Sequence, residues 1–176
     1  NPEEFIIKAA ALINDEKATA IIEHITYDVI DEKYGTEIFT EPTIKGRLGV
    51  NAMKSKKHLY DHIVYDSTNE LNFAQELDVS SNVAVYVKLP DGFYISTPVG
   101  KYNPDWAIAF YEGTVKHIYF VAETKGTLDT LQMNHISPIE QAKIDCAREH
   151  FKALSNGEVV YDVVDNYKAL LERVMR

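Results

Sequence analysis

The chain has 176 residues, 45% of them hydrophobic, which is enough for one domain with a buried core and an added subdomain. Its formal charge of −9 argues against a nonspecific grip on nucleic acid, which usually depends on clustered Lys and Arg. No apolar run of 18 residues and no N-terminal signal pattern is present, so we expect a soluble, cytoplasmic protein without membrane contact. The single cysteine, Cys146, excludes an internal disulfide and is expected to be an inert core thiol.

Residues 1–60 predict a leading subdomain that is helical and then irregular. Residues 3–13 have helical apolar spacing after Pro2, and Asn14 with Asp15 predicts the cap of a second helix. Glycine and proline break residues 27–50 into short pieces, with a strand expected near residues 37–39. The chain does not begin with methionine, so we expect a fragment or a processed chain.

Residues 61–176 predict alternating helices and strands. A capping box, Ser67-x-x-Glu70, starts one helix, and Ser137 followed by proline and glutamate starts another that ends near residues 156–157. A strand is expected at residues 83–89 and a turn at 90–92, from which residues 93–96 return as a second strand, followed by a loop at 97–103. Residues 158–164 predict a buried strand that completes a right-handed βαβ unit, and Asp165 or Asn166 caps a last helix.

Residues 104–125 predict the central β-hairpin, with charged residues at the open end of two apolar strands. Glu123 and Lys125 share one face because side chains alternate along a strand. Asp105 joins that face if the turn has an odd number of residues. A loop of residues 113–115 places Asp105 opposite Glu123, and a loop of residues 112–114 places it opposite Val121. Two carboxylates on an apolar sheet are costly unless a cation lies between them, so the pattern predicts a functional site.

Pro-Asp, a hairpin and Glu-x-Lys resemble the PD-(D/E)xK nuclease motif. Four blocks also resemble the endonuclease domain of the restriction subunit of type III restriction-modification enzymes: KHLYDHIVYDSTNELNFAQE (57–76), KYNPDWAI (101–108), FVAETKG (120–126) and EQAKIDCAREHF (140–151). The resemblance implies an α/β, restriction-endonuclease-like fold, with a mixed central β-sheet flanked by helices. The nuclease domain is expected at residues 61–176, after the small, mostly helical N-terminal subdomain.

Phosphodiester hydrolysis by such a site points to Mg²⁺, which prefers oxygen ligands. Asp105, Glu123 and the Thr124 carbonyl are the expected metal ligands. Lys125 is expected to orient or deprotonate the attacking water, although a salt bridge to one of the acids would also explain it.

Two further residues are implicated by the resemblance. Glu70 is expected to join the metal site, with its place in the capping box as the alternative explanation. Lys143 matches an accessory position and is a possible phosphate contact, with a plain surface lysine as the alternative.

The resemblance also implies partners. Double-stranded DNA is the expected substrate, and a modification methyltransferase subunit and the helicase portion of the same polypeptide are the expected partners. ATP would be used only by that helicase portion, which is absent from this chain. The alternatives are a noncatalytic interaction module of nuclease-like fold that docks helicase and methyltransferase, and a repair or phage nuclease of the same fold. Lys54, Lys56, Lys57 and His58 form a local basic cluster that either faces DNA or is simply solvated.

Overall fold

The computed structural model describes residues 1–22, 25–27, 39, 46–115, 119–124, 137–155 and 159–176. The described helices are α1 (Pro2–Ile22), α2 (Thr68–Val79), α3 (Pro138–Ser155) and α4 (Tyr167–Val174). The described strands are β1 (Ala52–Lys54), β2 (His62–Val64), β3 (Val83–Lys88), β4 (Ile95–Thr97), β5 (Gly100–Tyr102), β6 (Trp106–Phe110), β7 (Tyr119–Thr124) and β8 (Val159–Val164). None of these helices is both long and apolar enough to cross a bilayer.

A four-stranded mixed sheet with the order β3-β6-β7-β8 forms the centre of the fold. Strands β3, β6 and β7 are antiparallel neighbours, and β8 runs parallel to β7 after the crossover through α3. This confirms the predicted hairpin, the predicted βαβ unit and the predicted mixed sheet flanked by helices.

Side-chain alternation divides the core between the two faces of this sheet. One face carries Trp106, Ile108 and Ala122 and packs against α2 and α4. The other face carries Val121 and Tyr161 and packs against α3. The sheet is therefore buried on both sides, and a charged residue on either face needs a partner.

The predicted helix starts are confirmed by their capping bonds. Ser67 Oγ accepts a hydrogen bond from Glu70 N at 3.2 Å, and Ser137 Oγ accepts one from Glu140 N at 3.2 Å. Asn166 Oδ1 accepts one from Ala169 N at 2.9 Å, so Asn166 is the cap of α4. These side chains satisfy N–H groups that have no partner within the helix.

The prediction of two N-terminal helices was wrong. Helix α1 runs unbroken from Pro2 to Ile22, with Asn14 and Asp15 inside it, and it packs against α3. Neither proline nor glycine occurs within residues 3–22, so the backbone continues through a pair of residues that would cap a helix elsewhere. The strand expected near residues 37–39 lies outside the described residues, apart from Phe39. The division into domains at residue 60 stays a prediction.

The predicted pairing of the strands around Pro90 was also wrong. Strand β4 pairs with β5 in a separate two-stranded hairpin, where a loop was expected. Both edges of β3 are already occupied: β6 covers one, and residues 57–59 cover the other through two backbone hydrogen bonds to Tyr86. The β4–β5 hairpin packs on α3 instead, and Gly100 adopts φ +113°, which favours glycine at its turn. A second short hairpin, β1–β2, was not predicted.

Candidate active site

The register of the central hairpin brings two acids together at its open end. Trp106 pairs with Ala122, and Ala109 pairs with Tyr119. The pairing ends at Trp106 and Ala122, one residue short of Asp105 and Glu123. The same register continued by one residue would set Asp105 opposite Glu123, as predicted for a loop of residues 113–115, so that opposition stays a prediction. Directly opposed residues have Cβ atoms about 4.5–5.5 Å apart. Lys125, the third predicted member of the site, lies outside the described residues.

Glu123 is the one charged residue with a buried side chain among the residues that the structure describes, at 6% exposure. Its Oε2 atom accepts a hydrogen bond from Tyr102 Oη at 2.9 Å, and Tyr102 Oη is hydrogen-bonded in turn to Tyr161 Oη. Burial raises the pKa of both tyrosines, so both phenols stay protonated at neutral pH. A buried carboxylate is costly, and its presence in this apolar layer therefore indicates a function.

Asp105 is held by the end of β7. Its Oδ2 atom accepts hydrogen bonds from Thr124 N and Thr124 Oγ1, both at 2.7 Å. Thr124 Oγ1 in turn accepts a hydrogen bond from the indole Nε1 of Trp106 at 3.2 Å, and Trp106 is fully buried. The position of Asp105 is thus coupled to the core through one hydroxyl group.

Glu70 lies on α2, on the Trp106 side of the sheet. Its Oε2 atom accepts hydrogen bonds from Lys88 Nζ at 2.6 Å and from Asp66 N at 3.0 Å. Burial lowers the pKa of Lys88, but its hydrogen bonds to Asp66 and Glu70 outweigh that effect and raise it. Ser67 caps Glu70 N as predicted, but the Glu70 carboxylate accepts from Asp66 N and not from Ser67 N, and it forms an ion pair with Lys88. Its role as a metal-site residue stays a prediction.

Lys143 lies on α3, on the same side of the sheet as Glu123. Its Nζ atom lies 3.9 Å from the position that a Cβ atom on Gly100 would occupy, so it extends over the β4–β5 hairpin. Lys143 also lines a shallow pocket with Lys101, Tyr102 and Asn103. The lysine thus lies beside the residue that binds Glu123, and its contact with a phosphate stays a prediction.

The predicted basic cluster is smaller than its sequence indicates. Lys57 Nζ donates a hydrogen bond to the Ser80 carbonyl, and His58 Nε2 accepts one from Lys88 N at 3.1 Å. Only Lys54 and Lys56 of the four residues are exposed. This segment offers less positive charge to a polyanion than four adjacent basic residues would.

Sequence reasoning missed Tyr102, Tyr161 and Trp106 as residues that hold the acids. Each is buried and aromatic, so each looked like an ordinary core residue in the sequence. The available signal for Tyr102 was its place in the block KYNPDWAI, three residues before Asp105. The direction of its hydroxyl group depends on the β4–β5 hairpin, which the sequence did not predict.

The oxygen atoms at the open end of the hairpin can be compared with the ligands that a divalent cation prefers. The described residues contain no cluster of three or more His, Cys, Asp and Glu side chains able to hold a metal. Asp105, Glu123 and the Thr124 carbonyl form a smaller set made only of oxygen atoms. Mg²⁺ is commonly bound by one or two carboxylates and keeps several waters, so this set fits Mg²⁺.

The fold and these acids together define a restriction-endonuclease-like domain. The family described as endonuclease domain matches residues 56–167, and the chain belongs to that family. The matched region contains Asp105, Glu123 and the tyrosine pair. The chain is therefore a nuclease domain. Comparison with curated proteins and with solved structures gives no significant match.

Proposed function

We propose that this chain is the Mg²⁺-dependent DNA endonuclease part of a type III restriction enzyme. The observation that carries the proposal is the buried carboxylate of Glu123 at the open end of the central hairpin, one residue beyond the pair Trp106–Ala122. The family match supports nuclease activity. The four sequence blocks support the type III assignment, and double-stranded DNA is the proposed substrate.

Asp105, Glu123 and the Thr124 carbonyl are the proposed Mg²⁺ ligands. When bound, Mg²⁺ would supply a Lewis acid that offsets negative charge developing on the phosphate oxygens. Thr124 holds one carboxylate through its amide and hydroxyl groups, and Tyr102 holds the other. Ligands fixed in this way need little reorganisation before a phosphodiester reacts, which favours catalysis.

The remaining roles belong to residues around the two acids. Lys125 orients or deprotonates the water that attacks phosphorus and counters the charge of the transition state. Lys143 contacts a phosphate next to the scissile bond. Glu70 joins the site from α2, where it would exchange its contact with Lys88 for one with the metal.

The partners are those that the resemblance to type III restriction enzymes implies, and the charge of the chain supports a need for them. A formal charge of −9 opposes the approach of DNA. In the basic cluster at residues 54–58, only Lys54 and Lys56 are exposed. We propose that two partners hold and deliver the DNA. They are the ATP-driven helicase portion of the polypeptide and the modification methyltransferase subunit. The chain then contributes hydrolysis.

The proposal is tested in the assembled enzyme with plasmid DNA, ATP and Mg²⁺. Asp105→Ala should reduce cleavage by at least about 100-fold, since it removes a group that acts in the transition state. The matched control is Glu112→Ala, which removes an exposed acid that follows β6, at the opposite end from Asp105. ATP hydrolysis by both variants should equal that of the parent, which shows that the complex assembles. Cleavage by Asp105→Ala at the parent rate would reject the catalytic role and favour a noncatalytic docking module.

A further inference from the structure

We infer that Tyr102 is a positioning residue for Glu123, and that Tyr161 fixes Tyr102 in that role. The inference rests on the proposed function, since Glu123 is taken as a cation ligand. It adds two residues and one structural element, the β4–β5 hairpin, to the machinery around the cation.

The hydrogen bonds between these three residues can run in only one direction. A carboxylate only accepts hydrogen bonds, so Tyr102 must donate its single hydroxyl proton to Glu123 Oε2. The contact between the two tyrosine hydroxyls must therefore be donated by Tyr161 to Tyr102. Two consecutive hydrogen bonds therefore end on the carboxylate. The bond from Tyr161 to Tyr102 polarises the Tyr102 hydroxyl and strengthens its bond to Glu123.

Three separate elements, β8, α3 and β5, hold this pair of hydrogen bonds in place. Tyr161 lies on β8, where its partner is Val121, and it therefore shares the sheet face of Glu123. The ring of Phe151 stacks on Tyr161 with centroids 5.6 Å apart and planes at 12°. The ring of Tyr102 meets that of Tyr161 edge-on, at 6.1 Å and 86°. Both rings are buried, so neither hydroxyl can turn away without repacking this layer.

In this arrangement the β4–β5 hairpin positions Tyr102 beside Glu123. Tyr102 is the last residue of β5, outside the central sheet, and the hairpin packs on α3. The hairpin thus brings a hydroxyl donor into the layer between the sheet and α3, where it lies among apolar side chains such as Val121 of β7 and Ile144 of α3. Removing the partner that orients a metal ligand typically weakens metal affinity 10–100-fold.

The test is calorimetric titration of the 176-residue chain with Mn²⁺, well below its melting temperature. Tyr102→Phe keeps the ring and removes only the donor, and its Kd for Mn²⁺ should rise about 10–100-fold. Tyr161→Phe should raise Kd by a smaller factor. The double variant should match Tyr102→Phe alone, because Tyr161 acts through Tyr102. The matched control is Tyr111→Phe, an exposed tyrosine whose loss should leave Kd unchanged.

A second readout separates positioning from general loss of structure. In the assembled enzyme, Tyr102→Phe should raise the Mg²⁺ concentration for half-maximal cleavage by the same factor. Cleavage at saturating Mg²⁺ should return close to the parent rate. A fall in rate that excess Mg²⁺ does not restore would contradict the positioning role.

The outcomes distinguish this inference from the proposed function. If the parent binds Mn²⁺ and Tyr102→Phe binds it within twofold of the parent, the inference is overturned and the proposed function stands. If the parent does not bind Mn²⁺, both are overturned. If Tyr102→Phe does not fold, Tyr161→Phe decides: affinity equal to that of the parent overturns the inference.

Discussion

Replacing Glu123 by Gln should leave the metal-free protein as stable as the parent, or more stable. The change removes the one buried charge among the described residues but keeps an oxygen atom that can accept the hydrogen bond from Tyr102. In most proteins a substitution at a buried polar position is destabilising. The opposite expectation here follows from the proposed role of Glu123 as a cation ligand.

The magnitude follows from the opposition of Glu123 and Asp105. Two carboxylates about 5–8 Å apart repel by about 2–3 kcal/mol at an effective dielectric constant of 20. Replacing a charged hydrogen-bond acceptor by a neutral one loses about 1 kcal/mol. Attraction to the proposed Lys125 ammonium would also be lost. We therefore expect a gain in unfolding free energy between zero and about 2 kcal/mol.

The assay is thermal unfolding in EDTA and again in Mg²⁺. About 2 kcal/mol corresponds to a Tm rise of roughly 4–8 °C for a chain of this size. Mg²⁺ should raise the Tm of the parent by mass action and leave that of Glu123→Gln unchanged. The control is Glu112→Gln, an exposed acid on the same hairpin, which should respond to Mg²⁺ as the parent does. A Tm for Glu123→Gln more than about 4 °C below the parent in EDTA would refute this reasoning.

Three further predictions concern the core, the pH dependence and the isolated chain. Trp106→Ala should cost about 3–5 kcal/mol by urea unfolding, because it empties a fully buried site and removes a donor to Thr124; a cost below about 1 kcal/mol would contradict this. Burial lowers the pKa of His58 and His150 below 6.5, so the unfolded chain binds more protons in acid and stability should rise with pH up to about 6.5. Melts between pH 5 and 7 check this, and His150→Phe should reduce the slope; an unchanged slope would contradict it. The chain alone should bind labelled duplex DNA no more tightly than about 10⁻⁶ M in low salt with Ca²⁺, and sub-micromolar affinity would place the DNA grip within this chain.

The central hairpin could be predicted from sequence because its signals are local. Apolar alternation defines both strands, and the observed register from Trp106–Ala122 to Ala109–Tyr119 is one that an odd-numbered turn permits. The starts of α2, α3 and α4 were equally predictable, since a capping side chain satisfies helix donors two or three residues away.

The environment of the acids could not be predicted, because it depends on long-range contacts. Tyr161 is 59 residues from Tyr102 along the chain, and only the packing of β8 and the β4–β5 hairpin brings their hydroxyls together. The pairing of β4 failed for a related reason. Residues 57–59 cover the edge of β3 that β6 does not. Nothing in the β4 sequence indicates that this edge is already paired.

The central claim is that Asp105 and Glu123 hold one divalent cation. Crystals of the chain soaked in Mn²⁺, with diffraction recorded at an energy where manganese scatters anomalously, test it most directly. We predict one anomalous peak with an oxygen atom of each acid within about 2.0–2.3 Å. That peak should be lost in Glu123→Gln and kept in Glu112→Gln. No peak between the two acids at saturating Mn²⁺, or a peak that survives in Glu123→Gln, would contradict the claim.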